Sequence, residues 1–393
     1  MFLRTGFALV LFAGLAGAAA VDVQCSNTVA DTVALNGAIG NSKAGDSVHI
    51  HGTCLVNATI VLYGDRSYIG DSRTGTVIRQ ADGANLPALV ASDSWNANAP
   101  GTGRPIRIAH LGLDGNRANN SNTSNLVIRS WLTVLEDLQI RNAPVDGIRL
   151  TNLGKDGKTG LTSTQVNGRI SNCFIDRSGA NGIHVLDTQN AVTDWDLLDS
   201  WIAGSGESAI FLDNAAGWKV SGNHLYGVQQ HAIWAHRCWG TTIENNYIEG
   251  FGEAGGEGKT WYGIAGTIQG GTGSVISGNK VFRQNAKAPT GAFVYIGVPK
   301  VNSGTGVLNV VNNVIRGAGT PRDTGLSYEV GGGAGLQVLS FNNNVQSVGT
   351  PRSTGPAVTL VNPLWEISTS PSGARRPAGV SVSSDSPPGS PSE

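Results

Sequence analysis

From residue 108 onward one hydrophobic pattern recurs: apolar, any residue, Asn/Asp/Gly, Asn, any residue, apolar, then a Gly-rich turn and a second short apolar run. Its first half reads IAHLGL (108–113), LEDLQI (135–140), ISNCFI (170–175), LLDSWI (197–202), VSGNHL (220–225), IENNYI (243–248), ISGNKV (276–281), VVNNVI (310–315) and SFNNNV (340–345). Its second half reads DGIRL (146–150), NGIHV (181–185), SAIFL (208–212), HAIWA (231–235) and YGIAG (262–266). The short runs alternate apolar and polar positions, so each predicts a strand with one buried face. Units recur every 23 to 35 residues. A unit of two or three such strands cannot bury its apolar face alone, whereas stacked units bury a continuous core. The shorter units lack room for a four-stranded propeller blade.

The fourth position of the first half runs Leu111, Leu138, Cys173, Ser200, Asn223, Asn246, Asn279, Asn313 and Asn343. Five successive Asn at one structural position predict a stacked amide ladder, each carboxamide satisfying its neighbour and its own turn. The unit ISNCFIDRSGANGIHV (170–185) and this Asn column resemble the right-handed parallel β-helix of the pectate-lyase-like superfamily, over about residues 46 to 362. The resemblance implies an all-β fold: a single-stranded right-handed parallel β-helix, or solenoid. It also implies a short N-terminal capping helix, for which TVADTVALNGAIG (28–40) stands ready, followed by AGDSVHIHG (44–52) as the first strand.

The chain begins MFLRTGFALVLFAGLAGAAA, with Arg4 before an apolar stretch and small residues at Ala18 to Ala20. Residues 1–20 therefore predict a signal peptide, 21–366 the β-helix domain, and the Ser/Pro-rich 367–393 a disordered tail. The expected localisation is secreted or periplasmic. In an oxidising compartment Cys25, ahead of the helix, and Cys54, at the end of a strand, suit a disulfide over the N-terminal cap. Cys173 and Cys238 fit buried free thiols. The 55 Gly among 393 residues argue against helices and for many regular turns. A formal net charge of −1 disfavours a nucleic-acid or anionic-membrane partner. No later stretch reaches the roughly 20 apolar residues of a membrane span.

In a parallel β-helix, function requires outward residues that share columns. Aligning the second-half strands places Arg149, His184, Phe211, Trp234 and Ala265 outward in one column. Asp146, Asn181, Ser208, His231 and Tyr262 precede them, and Thr151, Leu186, Asp213, His236 and Thr267 follow. Phe211, Trp234, Trp261 and Tyr262 form an expected sugar platform beside charged groups able to transfer protons. Asp213 and Glu207 are the expected acid/base pair, with His236 tuning Asp213 and His231 beside them. Arg149, His184 and Arg237 are expected substrate contacts. Asp213 also fits a turn-capping role, and Glu207 a solvated turn charge. Enlarged segments at 249–261, 282–291, 317–325 and 347–355 are expected to wall a groove.

No Asp-Asp pair of the polygalacturonase type, no Arg-x-Pro-x-x-Arg pattern and no YG-x-DPH-like signature occurs. No cofactor and no metal are expected; the L-D-G-N run (113–116) is the one candidate calcium turn. These features point to an exported polysaccharide-cleaving enzyme, by hydrolysis or by β-elimination on a uronate polymer. A non-catalytic glycan-binding surface protein is the alternative from another class.

Overall fold

The computed structural model describes residues 19–283, 290–331, 335–361 and 367–369. Three long parallel sheets carry the chain. Sheet A has 13 strands, sheet B 12 and sheet C 11. One coil runs through Arg169–Ser171 in sheet A, Phe174–Asp176 in sheet B and Ile183–Leu186 in sheet C. The next coil repeats the path at Asp196–Leu198, Trp201–Ala203 and Ile210–Leu212, pairing Ile170 with Leu197, Ile175 with Ile202 and Ile183 with Ile210. The inward residues, Ile170, Ile175, Ile183 and their counterparts, have no exposed surface and form one continuous core.

The corner between sheets A and B explains the recurring Asn/Asp/Gly-Asn pair. Its first residue adopts a left-handed backbone, as at Asn245 (φ 56°), Gly278 (φ 65°) and Asn312 (φ 60°), a conformation that Gly and Asn tolerate best. Its second residue points inward. Asn223, Asn246, Asn279 and Asn313 each donate an Nδ2–H to the Oδ1 of the next Asn, at 2.9–3.0 Å. Each Oδ1 also accepts the backbone N–H one coil back, Asn246 N–H to Asn279 Oδ1 for example. The expected amide ladder is therefore present and buried.

A helix at Asp31–Asn41 caps the first coil, burying Leu35 and Ile39. Asp31 fixes its start by accepting the N–H groups of Ser26, Thr28 and Leu55. The Cys25–Cys54 disulfide closes over this cap, with Cα atoms 4.9 Å apart, while Cys173 and Cys238 are buried free thiols. The sheets begin earlier and end later than the sequence boundaries. Ala20–Gln24 is a strand paired in parallel with Ser47–His51, so the 44–52 segment is the second strand of sheet A rather than the first. At the other end Ile367–Thr369, placed in the tail by composition, pair with Asn344–Gln346. Residues 1–18 of the expected signal peptide and 370–393 of the expected tail lie outside the described residues. Among the described residues no helix is long and apolar enough to cross a membrane.

One short helix, Asp93–Asn96, covers part of the outer face of sheet C. Its Trp95 packs with Ala88, Ala91 and Val127 on the outside of sheet C. The outer face of the early coils is thereby closed, and the open column starts at Arg149, the residue in register after Val127.

Candidate functional site on sheet C

The register of sheet C places Arg149 beside His184, His184 beside Phe211, Phe211 beside Trp234 and Trp234 beside Ala265. Along each strand Ile and Val residues are buried while Arg149, His184, Phe211 and Trp234 are half-buried and outward; Ala265, expected to continue the outward column, is buried instead. Asp213 and His236 follow two residues later on the same face, as the column alignment required. The rings are continuous. Centroids lie 5.3 Å apart for His184–Phe211, 5.8 Å for Phe211–His236, 5.4 Å for Trp234–His236 and 5.3 Å for Trp234–Tyr262. Tyr262 lies flat over the next coil because position 297 is Gly; a Cβ there would stand 2.7 Å from the Tyr262 ring.

At the Arg149 end sits a group that the sequence columns named without a role. Asp146 is fully buried. Its Oδ2 accepts from Arg149 Nε at 2.7 Å and faces His184 Nδ1 at 3.1 Å, while its Oδ1 accepts the Asn181 backbone and Nδ2 N–H groups at 3.2 Å. Burial alone raises its pKa, but the His184 hydrogen bond and the Arg149 charge outweigh burial and bring it down to about 2. An ionised carboxylate oxygen can only accept, so in this contact His184 Nδ1 is the donor.

Asp213 is set oppositely. Burial pushes its carboxyl pKa up, against the charges of His184 and His236. Its carboxylate accepts the Asp187 backbone N–H of the preceding coil, while in its own turn Asn214 Oδ1 accepts the Ala216 N–H at 3.2 Å and Asn214 Nδ2 donates to Asp187 Oδ2 at 2.7 Å. Asp213 lies one coil on and two residues along from His184, a diagonal of about 8 Å between Cα atoms.

Several expected roles change. Glu207 is exposed and meets Asn181 Nδ2 at 3.3 Å. The same Asn181 Nδ2 reaches Asp146 Oδ1 at 3.2 Å, so Glu207 stands at the Asp146 end of the face, before the bends that lead into Ile210–Leu212. Trp261 packs against the core and donates Nε1–H to the Gly255 carbonyl at 2.8 Å, so it walls His231 instead of serving as platform. His231 accepts the Tyr262 N–H at Nδ1, and burial lowers its pKa to about 4. Burial likewise lowers the His236 pKa, partly opposed by Asp213, and its Nε2 accepts the Trp234 indole N–H. Both rings therefore support the ridge, with one nitrogen each already engaged. Arg237 sits in a bulge and reaches Gln269 Oε1 at 3.4 Å.

The enlarged segments at 249–261, 317–325 and 347–355 all join sheet B to sheet C, as does 282–291, of which 284–289 lie outside the described residues. The L-D-G-N turn spends its oxygens internally: Asp114 Oδ1 accepts from Asn116 N and Asn142 Nδ2, and Asp114 Oδ2 faces Arg141. Its donor set therefore does not favour calcium. Among the described residues no cluster of three His, Cys, Asp or Glu is arranged for a metal ion.

A family model described as "Right handed beta helix region" matches residues 181–360. No curated protein matches the chain in sequence. Among solved structures the chain is similar to the A-module of the Azotobacter vinelandii mannuronan C-5 epimerase AlgE6, with a TM-score of 0.54 at 15% identity, over 89% of this chain and 97% of that one. It is similar to the catalytic domain of a GH87 alpha-1,3-glucanase, with a TM-score of 0.54 at 13% identity, over 89% and 68%. It is also similar to PfbA, a surface adhesin of Streptococcus pneumoniae, with a TM-score of 0.53 at 13% identity, over 86% and 93%. At such identities the likeness is one of fold. With the three stacked parallel sheets and the amide ladder, it makes this chain a right-handed parallel β-helix protein.

Proposed function

We propose that this protein is an exported enzyme that cleaves glycosidic bonds of a polysaccharide lying across the coils of sheet C. The observation that carries this is the Asp146–His184–Asp213 arrangement at the end of an aromatic ridge. Asp146 orients His184 so that Nε2 can take a proton, and burial keeps Asp213 protonated at higher pH than an ordinary carboxyl. In hydrolysis, His184 takes a proton from water as its oxygen attacks the anomeric carbon, and Asp213 gives a proton to the departing glycosidic oxygen. Phe211, Trp234 and Tyr262 bind the flanking sugar rings. The AlgE6 and GH87 neighbours, a polysaccharide epimerase and a glucanase, support a sugar polymer as substrate. The leader-like N-terminus and the Cys25–Cys54 bridge support export.

A second reading has its own observation. Arg149 beside His184, and Lys300 with Arg237 near His236, place cations along the ridge. They favour a uronate polymer, on which His184 would remove a carbon-bound proton and β-elimination would follow. A panel of neutral and uronate polysaccharides separates the outcomes: new reducing ends alone mean hydrolysis, and ultraviolet-absorbing unsaturated ends mean elimination. His184→Ala and Asp213→Asn should each lower kcat at least roughly 10²-fold, whereas Trp234→Ala should mainly raise KM and Glu207→Gln should change little. Full activity in both His184→Ala and Asp213→Asn refutes the assignment. Saccharide binding through sheet C without any product makes the protein a binding module.

A further inference from the structure

Sheet B carries a second line of rings on a different face of the prism. Its register places Phe174 beside Trp201, Trp201 beside His224 and His224 beside Tyr247, and the neighbouring column places Tyr226 beside Glu249 and Glu249 beside Phe282. The rings are in contact from end to end, with centroids 5.1 Å apart for Phe174–Trp201, 5.4 Å for Trp201–His224, 4.8 Å for His224–Tyr247 and 5.7 Å for Tyr247–Phe282. Trp201 is 46% exposed and Tyr226 50%, among the most exposed large side chains of the described residues. The ridge ends in a cleft of about 680 Å³ lined by Tyr247, Phe282, Arg283, Arg316 and Ser347.

Charged groups alternate with these rings: Asp176, Glu249, Lys280 and Arg316 stand in the same two columns. An apolar protein or lipid partner would have to cover those charges. A sugar supplies C–H groups for the exposed rings and hydroxyls for the charged groups between them. Successive rings also recur with the coil spacing of about 4.8 Å, close to the advance per residue of an extended pyranose chain.

We infer that the sheet B ridge Phe174–Trp201–His224–Tyr247–Phe282, with its Arg283 cleft, is a second polysaccharide-binding surface that holds the polymer without cleaving it. The inference shares with the proposed function only the class of ligand. Its site and its readout are separate.

The test is retention of the full-length protein in native gels containing alginate, xylan, dextran or β-glucan, compared with turnover of short oligosaccharides of the retaining polymer. Trp201→Ala and Tyr226→Ala should each reduce retention by roughly 5- to 10-fold, with turnover of short oligosaccharides and melting temperature unchanged. Trp201→Phe should restore part of the retention. Unchanged retention in both alanine variants overturns the inference, as does an equal loss of turnover on short oligosaccharides. Product formed by a protein that no gel retains leaves the sheet C assignment standing and removes this one. Retention through Trp201 without product does the reverse.

Discussion

Replacing Asn279 by Ala tests the ladder at its centre. In the native protein Asn279 Oδ1 accepts two N–H groups of Asn246, from the backbone and from Nδ2, each at 3.0 Å. Its Nδ2 donates to the Ile243 carbonyl and to Asn313 Oδ1, also at 3.0 Å. Alanine removes all four bonds. Asn246 Nδ2 keeps the Val220 carbonyl and Asn313 Oδ1 keeps the Asn279 backbone N–H, so neither is stranded. The Asn246 backbone N–H loses its only side-chain acceptor in a corner where Asn246 is 1% exposed. One orphaned buried donor costs about 1–3 kcal/mol, and the three other lost bonds add a fraction each, so the expected destabilisation is about 3 kcal/mol. Asn279→Asp should cost more than Ala at neutral pH, because a carboxylate oxygen then faces the Ile243 carbonyl and Asn313 Oδ1, and less in acid. Urea unfolding midpoints measure this. The control is Asn245→Gly, an exposed left-handed position (φ 56°) where Gly should be neutral or slightly stabilising. If Asn279→Ala lies within about 0.5 kcal/mol of wild type, or if Asn245→Gly costs as much, stability does not depend on the amide pairing.

Three further outcomes are expected. Cys54→Ala opens a bridge spanning 29 residues and should cost about 3–4 kcal/mol; thiol titration after unfolding should find Cys173 and Cys238 without reductant and all 4 cysteines with it. His51, which faces Asp71 at 2.7 Å and Asp22 at 3.3 Å, has its pKa raised from 6.5, chiefly by the Asp71 hydrogen bond. Its clamp on Ala20–Gln24 should be complete below pH 6.5 and lost as pH rises through the raised value, seen as faster amide exchange in that strand and abolished by His51→Gln. His231 is shifted the other way, from 6.5 to about 4, so the folded state should lose stability as pH falls between those values. A pH series of melting temperatures should show a smaller acid loss in His231→Gln, and an equal loss would remove His231 as its source.

The parts of the structure legible in the sequence are those governed by repetition. The corner Asn column, the inward Ile of sheet C and the outward column from Arg149 to Trp234 could be aligned because every coil imposes the same constraint at the same offset. What was not legible depends on features that occur once. The strand Ala20–Gln24 lies before the capping helix, where no repeat marks its register. The Asp93–Asn96 helix covers early sheet C through a single Trp95 contact cluster. Trp261 and Tyr262 are adjacent in the strand Thr260–Gln269, yet Trp261 packs on the core and Tyr262 on Trp234 of the ridge, a division that no repeated position marks.

Asp146 shows the limit most sharply. Its column was in view, but a carboxylate at the start of a strand looks like any turn residue until Arg149, three positions on, and His184, one coil away, are seen to close on the same oxygen. The signal that could have found it was the pairing itself: an Asp, an Arg and a His falling on adjacent positions of neighbouring coils. The outward aromatics mark the middle of the ridge, where His231 and His236 pack among the rings. The ionised, fully buried group that can orient a base lay at the ridge's end. In a solenoid, a column alignment locates the outward face, while contacts between neighbouring coils decide which outward side chain a buried charge holds. On this face Asp146 holds His184.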